Sequence, residues 1–144
     1  MRIYHSAVLV LCGLILFACK NTPSTTLTYN EIRAIIFDQS NGEGIEWHGE
    51  ALDESAKSDL VLTESTVCGQ GDCGKLVVIS NKSDQSIEII IKSNFSLPDF
   101  PPYMATRLIA APNSTVKVGC TKLCVEKQNI TFSHQIVGAK HVTQ

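Results

Sequence analysis

The sequence predicts an all-β fold, a small antiparallel β-sandwich held by disulfides, with room for one short helix. Short runs of β-branched residues recur in the second half of the chain, with turn residues about every 8–12 positions. The prolines there fall between these runs, where they remove no strand hydrogen bond. Four cysteines lie in the same region, an even number that suits two bridges: Cys68, Cys73, Cys120 and Cys124.

The first part of this domain has a less regular pattern. Ile32, Ile35 and Ile36 fit one face of a helix, while Ile32, Ala34 and Ile36 fit one face of a strand equally well. The acidic segment 49–59 would suit a short exposed helix. The secondary structure before residue 60 therefore stays open between helix and strand.

The strand pattern is clearer after residue 74. The run 75–80 is apolar on both faces, whereas the run 86–92 places Ile87, Ile89 and Ile91 on one face. Further elements are predicted as a hairpin loop at 81–85, strands at 104–110, 115–118, 129–133 and 135–137, a turn at 111–114 and an irregular connection at 97–103. This succession resembles an immunoglobulin-like architecture.

The first 18 residues have the pattern of an export signal. Arg2 is the only formally charged residue before Lys20, and the run 7–18 is apolar and uncharged. A positive start followed by about 7–15 apolar residues is typical of a secretory signal peptide. A membrane-spanning helix needs about 20 apolar residues, so the pattern favours cleavage over a permanent span.

The end of this run, Leu16-Phe17-Ala18-Cys19, resembles the lipobox of bacterial lipoproteins. The bulky Leu16 fits an ordinary A-x-A-like cleavage site poorly. The resemblance implies cleavage before Cys19 and acyl chains on its sulfur, and two or more chains anchor a protein stably. It places the protein in the cell envelope. Lys20 follows the cysteine in place of an aspartate, which favours the outer membrane over the inner membrane.

The chain then divides into three parts. Residues 1–18 form the signal peptide, residues 19–28 the lipidated cysteine and a flexible threonine-rich tether, and residues 29–144 a single β-sandwich domain. The four remaining cysteines of an exported domain are expected to form disulfides, because the compartment outside the cytoplasm is oxidising. Three pairings are possible, and the short spacings permit local bridges. We favour pairing between the two cysteine clusters, because longer loops constrain the unfolded chain more.

The charge pattern indicates which class of partner the protein could bind. A formal net charge of -2 argues against general nucleic-acid binding. Acidic residues dominate from 31 to 72 and basic residues dominate after 73. Such a division arises either from an ordinary solvated surface or from an acidic face that meets a cationic partner.

One acidic segment that could be functional contains Trp47, the single tryptophan, followed by His48. An exposed aromatic among charges is typical of a binding hot spot, whereas a buried Trp47 would simply anchor the core. On the first interpretation, the candidate partner-binding residues are Glu43, Glu46, Trp47, Glu50, Asp53 and Glu54.

Patterns for catalysis and for metal binding are weak. The cysteine spacings differ from the C-x2-C of zinc sites, and no methionine follows His134 and His141 to complete a copper site. No G-x-S-x-G motif is present. The sequence therefore predicts a protein without enzymatic activity, cofactor or metal.

These observations favour a membrane-anchored envelope lipoprotein that acts as a non-catalytic binding module for another protein. A narrower alternative is an inhibitor or immunity-type lipoprotein that neutralises a cationic hydrolase or toxin. An alternative of another class is an envelope enzyme or metal carrier using His134, His141, or Glu46 with Glu50. Four Asn-x-Ser/Thr triplets would instead suit a secreted eukaryotic glycoprotein: Asn81, Asn94, Asn113 and Asn129.

Overall fold

The computed structural model describes residues 27–38, 40–49, 52–68, 73–97, 100–125 and 128–142. The predicted signal peptide (1–18), Cys19 and most of the predicted tether lie outside the described residues. The described part forms helices α1 (Tyr29–Asp38) and α2 (Glu54–Ser58), and strands β1 (Glu43–Ile45), β2 (Leu60–Val67), β3 (Lys75–Asn81), β4 (Ile87–Asn94), β5 (Tyr103–Ala110), β6 (Thr115–Cys120), β7 (Lys122–Val125), β8 (Gln128–Thr131) and β9 (Ser133–His141). Neither described helix is long and apolar enough to cross a membrane.

Two antiparallel sheets share one apolar core. The four-stranded sheet has the order β1-β5-β4-β9, and the three-stranded sheet has the order β2-β3-β6. Ile89 and Leu108 of the first sheet lie in the same buried cluster as Val77 and Ile79 of the second. The chain changes sheet after β3 and returns after β5, so that β3 and β6 become neighbours. The predicted antiparallel β-sandwich is confirmed.

Helix α1 resolves the ambiguity at residues 32–36. Ile32 and Ile36 lie on one helical face and pack into a second apolar cluster with Phe95. Thr28 and Glu31 form a capping box at the helix start. The Thr28 N–H donates to Glu31 Oε2 at 2.7 Å, and the Glu31 N–H donates to Thr28 Oγ1 at 3.4 Å. The Thr28 hydrogen bonds lower the pKa of the Glu31 carboxyl.

The segment predicted to hold a short helix contains α2. Asp53 is its N-cap and accepts from the N–H groups of Ser55 and Ala56. Strands β1 and β2 were not predicted. In β2 only Leu60 is buried, and the remaining seven residues are exposed. This edge strand therefore does not show the usual alternation of buried and exposed side chains.

Both disulfides join the two cysteine clusters. Cys68 bonds to Cys120, and Cys73 bonds to Cys124, with Cα separations of 5.6 and 5.7 Å. This is the long-range pairing favoured from the sequence. The first bridge ties the end of β2 to the end of β6, and the second ties the start of β3 to β7.

Buried Asn81 holds one end of the sandwich together. Its Nδ2 donates to the carbonyl oxygens of Gln85, Ala110 and Ala111 at 2.8–3.1 Å, and its Oδ1 accepts from the Ser83 N–H at 2.9 Å. The side chain is 1% exposed. It therefore joins the connections at 81–85 and 111–114. The prediction of a hairpin loop at 81–85 is wrong, because this connection crosses from β3 in one sheet to β4 in the other.

Candidate functional site

A groove of about 690 Å³ opens at the β1 edge of the four-stranded sheet. Three parts of the chain line it: the start of α1, the residues from Gly44 to His48, and the segment that leads into β5. Aromatic rings and prolines supply much of the wall: Tyr29, Trp47, Pro101, Pro102 and Tyr103.

Close backbone contacts fix the position of β1. A Cβ at Gly42 would lie 2.5 Å from Thr106 Cγ2 and 2.6 Å from the carbonyl oxygen of Arg107, so the chain needs glycine there. Asn41 accepts from the Lys117 N–H through Oδ1 at 2.7 Å and donates its own N–H to the Lys117 carbonyl at 3.0 Å. The strand that carries one wall of the groove is thus held to both sheets.

Trp47 follows β1 and lies over the outer face of the sheet. Its ring meets Tyr103 edge-on, with centroids 6.4 Å apart and an interplanar angle of 85°. The ammonium of Lys92 lies 4.4 Å from the Tyr103 centroid and 5.5 Å from the Trp47 centroid, in cation–π geometry. Trp47 is partly buried and belongs to neither apolar cluster.

The indole N–H of Trp47 is the distinctive polar group of the groove. Its Nε1 atom is buried and has no hydrogen-bond partner within the described residues. Buried donors are nearly always paired in folded proteins, and leaving one unpaired is unfavourable.

Charges of both signs surround the aromatic rings. The side chains of Glu46 and His48 are 93% and 85% exposed, with Glu46 Oε2 3.8 Å from His48 Nε2. Arg33 lines the groove from α1. An ion pair this exposed contributes little to stability, which leaves the Glu46 carboxylate accessible to a partner.

The fold separates the candidate residues of the acidic segment. Glu46 and Trp47 line the groove, and Glu43 lies beside it on β1, where its carboxylate is 3.2 Å from Arg107. Asp53 and Glu54 lie next to β9, because the Asp53 N–H donates to the Ala139 carbonyl at 2.9 Å. That is the opposite edge of the sheet, three strand spacings or about 14 Å away. Glu50 lies outside the described residues.

The two histidines considered as metal ligands lie in different surroundings. His134 Nε2 lies 2.9 Å from the Cys120 carbonyl oxygen, so this nitrogen donates, and Nδ1 accepts from the Ser93 hydroxyl at 2.8 Å. Burial lowers the pKa of His134. His141 Nδ1 is buried without a partner in the described part. Within that part, no group of three or more His, Cys, Asp or Glu side chains could hold a metal ion.

The sequence pattern indicated three members of the groove, Glu46, Trp47 and His48, and missed the others. Tyr29 and Tyr103 stand 74 positions apart in the chain and meet at the groove only through folding. The proline pair before Tyr103 was interpreted only as an irregular connection. No local pattern would have placed these residues together.

Comparisons with protein-family models, with curated proteins and with solved structures find no match to this chain. The function must therefore be inferred from the groove and from the N-terminal pattern.

Proposed function

We propose that this protein is a membrane-anchored envelope lipoprotein and a non-catalytic binding module that holds a protein partner in the groove beside β1. The observation that carries the proposal is the groove itself, which is walled by Tyr29, Trp47 and Tyr103 and carries the exposed charged side chain of Glu46 at its rim. Largely apolar concavities with a few convergent polar groups are the usual form of binding sites. Tryptophan and tyrosine are also the side chains enriched in binding hot spots.

The composition of the groove supports binding rather than catalysis. Its described lining contains no serine, threonine or cysteine that could act as a nucleophile. Its carboxylate and imidazole, from Glu46 and His48, are exposed at the rim.

The lipobox resemblance supports the anchor. Acylation of Cys19 would attach the domain to a membrane, with outer-membrane placement favoured by Lys20. Leu27 packs against the second apolar cluster and Thr28 caps α1, so the tether comprises the seven residues from 20 to 26, which would span at most about 25 Å if extended. The groove would then work close to the membrane surface.

The inhibitor alternative receives less support from the fold. It requires a continuous acidic face, but Glu43 is paired with Arg107 and Asp53 caps α2. Of the candidate acidic residues within the described part, only Glu46 lines the groove.

The proposal is tested by affinity capture from native envelopes with the lipid anchor intact. Proteins retained by the wild type should be lost with Trp47→Ala, because the ring and its N–H are removed together. Ile109→Ala is the matched control, since this side chain is 60% exposed on β5 of the same sheet. A thermal melt checks that each variant folds. If all three proteins retain the same partners, the groove is not the binding site.

A further inference from the structure

We infer that the free edge of β2 pairs with β2 of a second copy of this chain, antiparallel about a two-fold axis at Leu62. This inference goes beyond the proposed function and does not use the groove, which lies beside the other sheet. It follows from the uncovered edge, from the backbone groups that the edge presents and from the register in which β2 complements itself.

The other edges of the two sheets are short or covered. The edge strands are β1, β9, β2 and β6, and β1 has only three residues. Along β9, Leu52 forms a bridge to Ala139 and the Asp53 N–H donates to the carbonyl of the same residue. Along β6, Asn41 exchanges two hydrogen bonds with Lys117. Within the described residues, only the eight-residue β2 has no such cover along its outer side.

Apolar side chains are exposed on both faces of β2. Val61 is 42% exposed and the next residue, Leu62, is 37% exposed. Leu62 lies opposite the fully buried Ile79, so it belongs to the inner face of the sheet and is nevertheless open to solvent. A long edge strand with exposed apolar residues is a template for the addition of another strand.

The hydrogen-bond pattern shows which backbone groups point to the free edge. The Lys82 N–H donates to the carbonyl of Asp59, its opposite residue, at 2.8 Å. Opposite residues in an antiparallel pair alternate between bonding to each other and pointing away from each other. The residues that direct their N–H and C=O groups to the free edge are therefore Leu60, Leu62 and Glu64.

A two-fold axis at Leu62 matches this pattern. A bulge follows Glu64, so the regular part of β2 is 60–64, and the axis lies at its centre. Each Val61 then lies opposite Thr63 of the second copy, a pair of β-branched side chains that stabilises neighbouring strands. Leu62 meets its own copy, Leu60 meets Glu64, and every free N–H and C=O of the regular part gains a partner.

Other registers are less favourable. An axis at Glu64 would set two carboxylates directly opposite each other, which is destabilising. An axis at Thr63 would draw the bulge into the ladder, and one at Val61 would leave the backbone groups of Glu64 without partners. Because β2 complements itself in one register, a second copy is the occupant that the strand specifies. Such a self-complementary contact is the usual interface of a symmetric dimer.

Cross-linking of the full mature protein in detergent with a short bismaleimide tests the register. In Leu62→Cys the two Cα atoms would lie about 5.5 Å apart across the axis. Val67→Cys is the matched control, because Val67 is 55% exposed but its two copies would lie about 30 Å apart. We expect a covalent dimer of Leu62→Cys alone. Any other pattern, in variants that thermal melts show to be folded, would overturn the inference.

Sedimentation of the same protein measures the dimer without a cross-linker. A strand pair this short forms a weak contact, so the measurement extends to about 1 mM protein. Leu62→Lys places two ammonium groups on the axis and should weaken dimerisation at least about tenfold. Val67→Lys adds the same charge outside the paired residues and should keep the wild-type dissociation constant. Equal weakening by both variants would overturn the inference. A monomeric wild type would also overturn it, and would leave the edge to a strand of another protein.

Discussion

Asn81 illustrates how one buried polar side chain stabilises two loops. Its amide satisfies the carbonyl oxygens of Gln85, Ala110 and Ala111 while it accepts from the Ser83 N–H. The amide nitrogen that a glycan would modify is thus buried and engaged. The Asn-x-Ser triplet at this position is a structural feature of the fold and not a glycan acceptor in the folded state.

Asn81→Ala should lower the free energy of unfolding by about 2–3 kcal/mol, because several buried backbone groups lose their partner at once. Urea unfolding with the disulfides intact measures the change. Asn129→Ala serves as the control, since this asparagine is exposed on β8 and should shift stability by no more than about 0.5 kcal/mol. Equal stability of the two variants would contradict the role assigned to Asn81.

His134 makes stability depend on pH. Burial lowers its pKa in the folded state, so the unfolded chain binds a proton more readily than the folded protein. The stability contributed by neutral His134 is therefore fully present above the ordinary histidine pKa of about 6.5, and is lost as pH falls below that value. Both ring nitrogens are hydrogen-bonded, which holds the neutral form between β4 and β6.

The difference between the urea midpoints at pH 7.5 and pH 5.5 should shrink in His134→Gln, since glutamine does not titrate. His48→Gln should retain the wild-type difference, because His48 is 85% exposed. A wild-type pH dependence in His134→Gln would show that another group is responsible.

At the scale of elements, the two disulfides differ in their surroundings. Cys68 is 3% exposed, whereas Cys124 is an exposed residue of β7. The β7–β8 hairpin pairs with no other strand in the described part, and Ile130 and Leu123 attach it to α1 through the second apolar cluster. The Cys73–Cys124 bridge is therefore the covalent support of this hairpin.

Protein isolated from the envelope should show no free thiol from the four domain cysteines. Under graded reductant, alkylation and mass spectrometry should detect Cys73 and Cys124 before Cys68 and Cys120, because the reductant reaches the exposed sulfur first. Full reduction should lower stability by about 2–5 kcal/mol per bridge lost. Four thiols that react without reductant would contradict the bridges.

For the whole molecule, the division of charge along the chain does not produce one acidic face. Glu43 pairs with Arg107 at 3.2 Å, and Glu64 pairs with Lys75 at 2.8 Å, so carboxylates of the acidic half meet cations of the basic half. The hydrogen bond and charge of Glu64 raise the pKa of Lys75. Such exposed pairs stabilise the fold little. They do place positive side chains beside carboxylates that are grouped together in the sequence.

The proposed membrane attachment would depend on one sulfur atom, that of Cys19. Labelled palmitate should enter the wild type and be absent from Cys19→Ser, which should accumulate as uncleaved precursor. Cys12→Ser is the matched control, because it changes the other cysteine of the same apolar run and should still be labelled. Equal labelling of Cys19→Ser and the wild type would remove the basis of the lipoprotein assignment.

The sequence by itself determined the β-rich class and the strands after residue 74 other than β7 (Lys122–Val125), which was not predicted. It favoured pairing between the two cysteine clusters without deciding which cysteine bonds to which. Side-chain alternation and turn residues are local properties, and they remain visible wherever a strand buries one face. The capping box of Thr28 and Glu31 was equally local, and would have favoured the helix over the strand at α1.

Tertiary structure alone decided β1, β2 and the groove. β1 is three residues long, and β2 is exposed along an edge, so neither carries an alternation that could be recognised. The groove brings together Tyr29, Trp47 and Tyr103 because β1 lies antiparallel to β5 and α1 packs beside them. Contacts between residues so distant in the chain arise from strand pairing and packing, and these long-range interactions leave no periodic signal in the sequence.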